Sequence, residues 1–163
     1  MIINFAQVEK KIFEYPMLRI AVAAGNDSET LYAVTEARDK HIAETVIVGD
    51  EEKIHTVAAQ EKLDLRGIEI HHEADPVKAS LAAVKLVHDG YAQIFMKGYI
   101  HSDDFLRAVL DKEFGLRTDD LLSHIFILEA THLGRLLFIT DGAMNIAPTL
   151  EQKAQIISNA VAL

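Results

Sequence analysis

Short apolar runs alternate with segments of helical periodicity over about the first two thirds of the chain. After the first run, residues 18–24, the apolar positions Leu31, Val34 and Ala37 recur at the spacing of one helix face. The scheme repeats three more times, with apolar runs at residues 45–50, 68–71 and 92–96. Four successive strand–helix units predict a mostly parallel, doubly wound α/β sheet with helices on both faces.

Local signals mark several helix boundaries. Asp75 followed by Pro76 predicts a helix start, because aspartate caps helices and proline suits the first helical position. Gly90 predicts the end of the same helix. Thr149, with Gln152 three residues later, predicts a capping box at the start of the last helix.

The pattern changes after the fourth unit. Residues 123–128 and 135–140 are apolar, β-rich runs joined by a short link that contains Gly134. This arrangement predicts an antiparallel hairpin rather than another crossover. We therefore predict a first α/β lobe at 1–121 and the beginning of a second lobe, a hairpin plus a helix, at 122–163.

Composition narrows the classes of partner. The 163 residues include 16 basic and 25 acidic ones, a formal net charge of −9, so the molecule repels nucleic-acid phosphates and anionic membrane surfaces. We expect neither nucleic acid nor a membrane as a partner. An anionic substrate would need a local pocket of cations or helix amino termini to overcome this background field.

Cysteine and histidine usage limits the chemistry. With no Cys, the chain has no disulfide, thiolate nucleophile or thiolate metal ligand. The eight His residues lack a metal-ligand spacing, and the adjacent His71 and His72 face opposite sides of a strand, so we predict no metal site. No apolar run reaches about 18 residues, and the amino terminus lacks a signal-peptide pattern, so we expect a cytoplasmic protein.

Candidate chemistry concentrates at the carboxyl end of the fourth strand, where parallel sheets bind ligands. Lys97 and Gly98 supply a cation and a close backbone approach, and Ser102 opens the next helix, where amide donors are free. Arg107 lies about five residues farther along that helix and suits a bidentate phosphate contact. The same residues also suit a plain turn, a helix cap and solvated cations, so the local pattern leaves both interpretations open.

Asp141 and Asn145 bracket the turn after the second hairpin strand. Polar side chains in such turns commonly bond their own backbone, although such loops also carry binding residues. The sequence lacks GxGxxG and GxxxxGK[ST], the two common fingerprints of dinucleotide and nucleotide phosphate sites. Their absence weakens the interpretation as a Rossmann dehydrogenase.

A series of short motifs follows in order along the chain. They are AVAAGND at 21–27, IVGD at 47–50, MKG at 96–98, GLRT at 115–118, LSH at 122–124, TD at 140–141, NIAP at 145–148, QK at 152–153 and NA at 159–160. In order and approximate spacing they resemble the phosphate acetyl/butyryltransferase family, most closely its butyryltransferase branch. The resemblance covers nearly the whole chain.

The resemblance implies a two-lobed α/β fold akin to those of isocitrate and isopropylmalate dehydrogenases and of phosphotransacetylase, usually a homodimer, with the active site in the cleft between lobes. It implies a reaction of acyl-CoA with inorganic phosphate that gives an acyl phosphate and CoA, with no permanently bound cofactor. The implied substrate-binding residues are Lys97, Gly98, Ser102, Arg107, Ser123, Asp141, Asn145 and Pro148.

Members of that family are considerably longer, so the resemblance also implies an incomplete second lobe and leaves the catalytic acid and base unassigned. We expect either a fragment or a protein that associates through apolar faces. The acyl-chain length stays open. Two alternatives remain: a non-catalytic domain that binds CoA or an acyl phosphate, and a nicotinamide-dependent, dehydrogenase-like domain.

Overall fold

The computed structural model describes residues 2–163, and their contacts form two compact units. Tyr15–Arg117 form the first, which we call the sheet unit. Thr118–Leu163, together with the described residues up to Glu14, form the second, the hairpin unit. None of the helices in residues 2–163 has the length and apolar character needed to cross a membrane.

The amino-terminal helix α1, Phe5–Ile12, belongs to the hairpin unit, whereas the predicted lobes 1–121 and 122–163 placed it in the first lobe. That prediction followed chain order, whereas the structure groups α1 with the hairpin unit. The backbone N–H of Phe5 donates a hydrogen bond to Glu129 Oε2 at 2.8 Å, across 124 positions of sequence. A contact so distant in sequence leaves no local signal.

Four parallel strands form the sheet of the first unit in the order β3-β2-β1-β4. The elements are β1 (Leu18–Ala23), α2 (Ser28–Asp39), β2 (Ala43–Gly49), α3 (Glu51–Glu61), β3 (Glu69–His72), α4 (Pro76–His88), β4 (Ile94–Lys97) and α5 (Ser102–Val109). The predicted doubly wound α/β class is confirmed. The predicted strand boundaries differ from these by one or two residues, as is usual where strand ends carry no special residue.

Aspartates cap three of the helices that follow the strands. Asp27, Asp50 and Asp75 accept hydrogen bonds from backbone N–H groups in the first turns of α2, α3 and α4. Each cap satisfies amide donors that a helix start leaves without an intrahelical partner, and it stabilises the helix by about 1 kcal/mol. The predicted start of α4 at Asp75 and Pro76 is confirmed.

Apolar side chains cover both faces of the sheet. Val22 and Ile47 point to one face and pack in a cluster with Leu31 of α2 and Ile54 of α3, all four fully buried. Full burial of such a side chain contributes roughly 1.5–3 kcal/mol. Residues one position away along the strands point to the other face, where Ala21, Ala23, Val46 and Val48 pack with Ala79 and Ala83 of α4.

The strand order creates a reversal between β1 and β4. The chain moves from β1 to β2 and β3 on one side and then returns to place β4 on the other side of β1. In open α/β sheets, ligands bind outside the carboxyl ends of strands at such a reversal. Here those ends lead into Ala24 and Gly98.

The hairpin unit contains the antiparallel strands β5 (Ile125–Ala130) and β6 (Arg135–Thr140), followed by α6 (Leu150–Ala162). The predicted hairpin is present, although β5 begins two positions later than the predicted run at 123–128. Thr149 and Gln152 form the predicted capping box. The strands leave large apolar side chains exposed on both faces: Phe126 pairs with Ile139 on one, and Ile127 with Phe138 on the other.

Candidate functional site

The loop after β4 rests directly on the end of β1. The backbone N–H of Gly98 donates to Ala23 O at 2.8 Å, and that of Tyr99 donates to Ala24 O at 2.8 Å. A Cβ atom on residue 98 would lie 2.6 Å from Ala24 O and 2.7 Å from Ala23 O, closer than atoms can approach. Only glycine therefore permits this loop path at residue 98.

A pocket of about 360 Å³ opens beside this loop. It is lined by Pro76, Lys97, Gly98, Tyr99, Ile100, His101 and Asp104. The walls thus come from the end of β4, the first turn of α4 and the start of α5. The structure brings together Lys97 and Gly98, two of the residues implied by the resemblance.

Two helix amino ends flank the pocket, and they differ in their free donors. At α4, the carboxylate of Asp75 already accepts from the N–H groups of Val77 and Lys78 at 2.8 and 3.2 Å. At α5, the cap residue is His101, whose side chain makes no capping hydrogen bond. The first-turn amides of α5 therefore keep their capacity to bind an acceptor, which favours an anion.

Of the two predicted cations, Lys97 and Arg107, only Lys97 lines the pocket. Lys97 is exposed, with Nζ 3.5 Å from the carbonyl oxygen of Gly98. Arg107 Nη1 donates to Asp104 Oδ1 at 2.7 Å, and the Arg107 side chain is 77% exposed. Arg107 thus neutralises a carboxylate that lines the pocket, a function that the sequence pattern did not suggest.

Ser102 is the first residue of α5 rather than its cap, and its side chain is exposed. It is outside the set of residues that line the pocket. Its predicted contact with substrate stays a prediction, as does that of Arg107.

In the hairpin unit, Asp141 organises the turn after β6. Its Oδ1 accepts from the N–H groups of Ala143 and Met144 at 3.2 and 3.0 Å, and its Oδ2 accepts from the side-chain amide of Asn145. Burial acts to raise the pKa of Asp141, but hydrogen bonds from Asn145, Met144, Ala143 and the His124 backbone outweigh it, so the pKa is lowered. Asp141 is thus held as a carboxylate.

The segment Leu121–His124 is held by side-chain donors from three places. Asn145 Nδ2 donates to Leu122 O at 3.0 Å, and Thr140 Oγ1 donates to His124 O at 2.7 Å. Asn159 Nδ2, on α6, donates to Leu121 O at 2.8 Å and to Ser123 Oγ at 2.9 Å. The structure therefore unites Ser123, Asp141 and Asn145 in one set of contacts, while the half-buried Pro148 lies just before the cap of α6.

Sequence reasoning missed His101 at the pocket and the hydrogen bonds of Thr140 and Asn159. In the sequence, Asn159 was noted only as part of the NA motif at 159–160. One available signal was an asparagine inside a helix, where its intrinsic preference is poor and a side-chain partner elsewhere is a common reason for it. The partner itself could not be read from the sequence, because it lies 36 residues away.

Comparison with known proteins places these features in context. The sequence profile of a family described as phosphate acetyl/butaryl transferase matches residues 5–78 and 74–163. A phosphate butyryltransferase of Clostridium beijerinckii is 43% identical over 158 residues, which are 97% of this chain and 52% of that protein. A phosphate acetyltransferase of Rhizobium meliloti is 37% identical over 150 residues, 92% of this chain and 47% of that protein. The chain spans about half the length of the curated relatives it matches.

Two solved structures have a fold similar to that of this chain. A branched-chain phosphotransacylase from Enterococcus faecalis superposes with a TM-score of 0.71 at 28% identity, over 88% of this chain and 50% of that one. A phosphotransacetylase from Streptococcus pyogenes superposes with a TM-score of 0.76 at 20% identity, over 94% and 55% of the two chains. The second likeness supports the fold alone.

Proposed function

Because this chain belongs to the phosphate acetyl/butyryltransferase family, we propose that its function is the transfer of a short acyl group from acyl-CoA to inorganic phosphate. The products are an acyl phosphate and free CoA. CoA takes part as a substrate rather than as a resident cofactor. The cytoplasm stays our predicted location.

The pocket at the end of β4 is the observation that carries this proposal. It combines the Lys97 ammonium, the Gly98 backbone and the open amide donors of α5 at the reversal of strand order. Both proposed substrates are anions, whereas the chain as a whole has a net charge of −9. A local cation and oriented amides are what such a substrate needs against that background.

The proposed chemistry needs placement and hydrogen-bond donors. A phosphate oxygen attacks the thioester carbonyl carbon, the carbonyl oxygen gains negative charge, and the C–S bond then breaks to release the CoA thiolate. Holding the two reactants in line contributes on the order of 7–11 kcal/mol in favourable cases. We propose that Lys97 and Gly98 position the anionic substrate. We propose that Arg107, in addition to its pairing with Asp104, binds a negatively charged group of the substrate.

In the hairpin unit we propose that Ser123, Asp141 and Asn145 contribute to substrate binding, with Pro148 shaping the adjacent turn. Their support is the shared set of hydrogen bonds around the segment Leu121–His124. Ser102 is proposed as a further substrate contact at the start of α5. The catalytic acid and base stay unassigned.

We also propose that the chain associates with a second copy. The support is the exposure of large apolar side chains on both faces of the hairpin, with Phe126 50% and Phe138 48% exposed. Sedimentation velocity over a range of concentrations tests this. A monomer at all concentrations would contradict it.

The activity is tested by mixing the full chain with butyryl-CoA or acetyl-CoA and measuring CoA release with a thiol reagent. Because the chain has no Cys, the reagent reports CoA alone. We expect release that depends on phosphate, and the ratio of the two rates gives the acyl preference. Saturable binding of acyl-CoA without turnover would instead favour a non-catalytic binding domain. A saturable NAD titration would favour the dehydrogenase-like alternative.

A further inference from the structure

The segment Leu121–His124 lies in the hairpin unit, immediately before β5, and three of its carbonyl groups accept hydrogen bonds from side chains rather than from a strand partner. Leu121 O, Leu122 O and His124 O each accept from a different side chain: Asn159, Asn145 and Thr140. A segment held by several separate side chains has a defined backbone position without belonging to the sheet. Among these contacts, that of Asn159 is the one that reaches a side chain, Ser123.

The contacts of Asn159 determine which way its amide group faces. Leu121 O can only accept, so the Asn159 atom 2.8 Å from it must be the amide nitrogen rather than the amide oxygen. The same nitrogen lies 2.9 Å from Ser123 Oγ. The two N–H bonds of Asn159 are therefore both used, one on the Leu121 carbonyl and one on the Ser123 hydroxyl oxygen.

This arrangement makes the Ser123 hydroxyl an acceptor toward Asn159. A hydroxyl has one O–H donor and two acceptor lone pairs, so its own proton must point elsewhere. Within residues 2–163, that proton has no hydrogen-bond acceptor, and Ser123 is half-buried. The Ser123 hydroxyl therefore keeps one unused donor.

We propose that Asn159 is a positioning residue, which orients the Ser123 hydroxyl so that its proton is donated to an oxygen of the substrate. The proposal rests on the proposed function and extends it to a residue on α6. The acceptor is an oxygen of phosphate or of the acyl carbonyl, and the two sources are separable by experiment.

The Asn159→Asp variant keeps the side-chain shape but replaces the donating NH₂ by a carboxylate oxygen. A carboxylate accepts the Ser123 proton, which reverses the hydrogen bond and withdraws the donor from the substrate. Asn159→Leu removes the donor without adding charge. Gln155→Glu, on the same helix, is the matched control because it makes the same amide-to-carboxylate change without belonging to the contacts that hold Leu121–His124.

The test measures dissociation constants of the full chain for inorganic phosphate alone and for butyryl-CoA alone. Backbone amide NMR shifts report binding, and each protein is studied below its own unfolding temperature. We expect Asn159→Asp and Asn159→Leu each to raise the dissociation constant for one of the two ligands by about tenfold, because one hydrogen bond to the substrate is lost. Gln155→Glu should change neither constant by more than about twofold.

A double-mutant cycle separates positioning from general stability. In a Ser123→Ala background, Asn159→Leu should raise the dissociation constant for the same ligand by less than about twofold further. The reason is that the Ser123 hydroxyl, through which Asn159 acts, is already absent. Equal effects in both backgrounds, or no effect on either ligand, would overturn the proposal. So would a wild-type chain that binds neither ligand. Turnover is assayed separately, so a chain that binds through Ser123 without releasing CoA refutes the proposed function and not this inference.

Discussion

Gly98 donates its backbone N–H to the carbonyl oxygen of Ala23 at 2.8 Å, which joins the loop after β4 to the end of β1. This contact brings the pocket's Lys97 to the reversal of strand order, where the open amides of α5 also lie. The geometry depends on residue 98 having no side chain. A stability measurement can therefore test a feature of the proposed site without knowledge of its ligand.

We expect Gly98→Ala to destabilise the protein by roughly 1–3 kcal/mol, the usual cost of forcing an atom into a packed position. The added Cβ would lie 2.6 Å from Ala24 O, and backbone atoms cannot move aside as a flexible side chain can. Urea denaturation measures the change. Gly142→Ala is the control, because its Cβ would meet only Phe126, at 3.8 Å, and should change the stability by less than about 0.5 kcal/mol. Equal effects of the two substitutions would contradict the close approach at Gly98.

Lys97→Met should weaken phosphate binding by about tenfold, because it removes the cation that lines the pocket while keeping an unbranched chain of similar length. Isothermal titration of the full chain with inorganic phosphate measures the effect. Lys112→Met removes the same charge from an exposed position outside the pocket lining and should leave the affinity within about twofold. If both variants lose affinity equally, the effect is that of net charge and the pocket assignment fails.

Ser80→Ala should leave stability unchanged or raise it by up to about 1 kcal/mol. The Ser80 side chain is fully buried, and its Oγ has no hydrogen-bond partner among the described residues, so its removal relieves a desolvated polar group. Thr35→Val provides the contrast. Thr35 is also buried, but its Oγ1 donates to Leu31 O at 2.7 Å, so we expect a loss of about 0.5–1.5 kcal/mol.

Thermal unfolding of both variants checks this pair of expectations. The informative quantity is the difference between them, since each removes one buried hydroxyl oxygen. A loss of stability in Ser80→Ala equal to that in Thr35→Val would show that Ser80 has a partner.

Acid sensitivity should depend in part on Asp64. Hydrogen bonds from the Arg66 side chain, then from its backbone N–H, lower the pKa of Asp64 to about 2. Because the pKa is lower in the folded state than the unfolded value of about 3.9, the carboxylate stabilises the fold above about pH 4. That stabilisation is lost as the pH falls from about 4 to 2.

Asp64→Asn should therefore make the stability less dependent on pH over this window. The pair is solvent-exposed, so added salt should reduce the difference from wild type. Urea titrations at pH 2 to 6, at low and high salt, measure both effects, with Asp89→Asn as an exposed aspartate outside the pair. An unchanged pH dependence in Asp64→Asn would contradict the expectation.

The local chemistry of the sequence sufficed for several parts of the fold and the site. The cap at Asp75, the capping box of Thr149 and Gln152, and the alternation of apolar runs with helical patterns depend on neighbours within one turn or one strand. The positions of Lys97 and Gly98 in the loop after β4, where they line the pocket, were predictable for the same reason. A lysine and a glycine at the end of an apolar strand combine a positive charge with a backbone that permits close approach, wherever that strand lies in the sheet.

Other features could not be determined from the local pattern, in most cases because the partner is distant along the chain. The pairing of Arg107 with Asp104 follows from rotamers at the start of α5, and the spacing alone allowed a free cation there instead. The contact between Asn159 and Ser123 joins an inner helix position to a loop 36 residues earlier. The grouping of α1 with the hairpin unit depends on Glu129, which no local pattern connects to Phe5.

From its own pattern the amino-acid sequence determined the α/β class, the element order, the family resemblance and the ends of strands where chemistry belongs. Tertiary structure alone decided the strand order β3-β2-β1-β4 and the side-chain donors that hold Leu121–His124. It also decided that the loop after β4 is hydrogen-bonded to the carbonyl groups of Ala23 and Ala24. The reason is the range of the interactions. Hydrophobic periodicity, capping and turn chemistry act between near neighbours, whereas strand pairing and side-chain contacts between elements depend on how the whole chain packs.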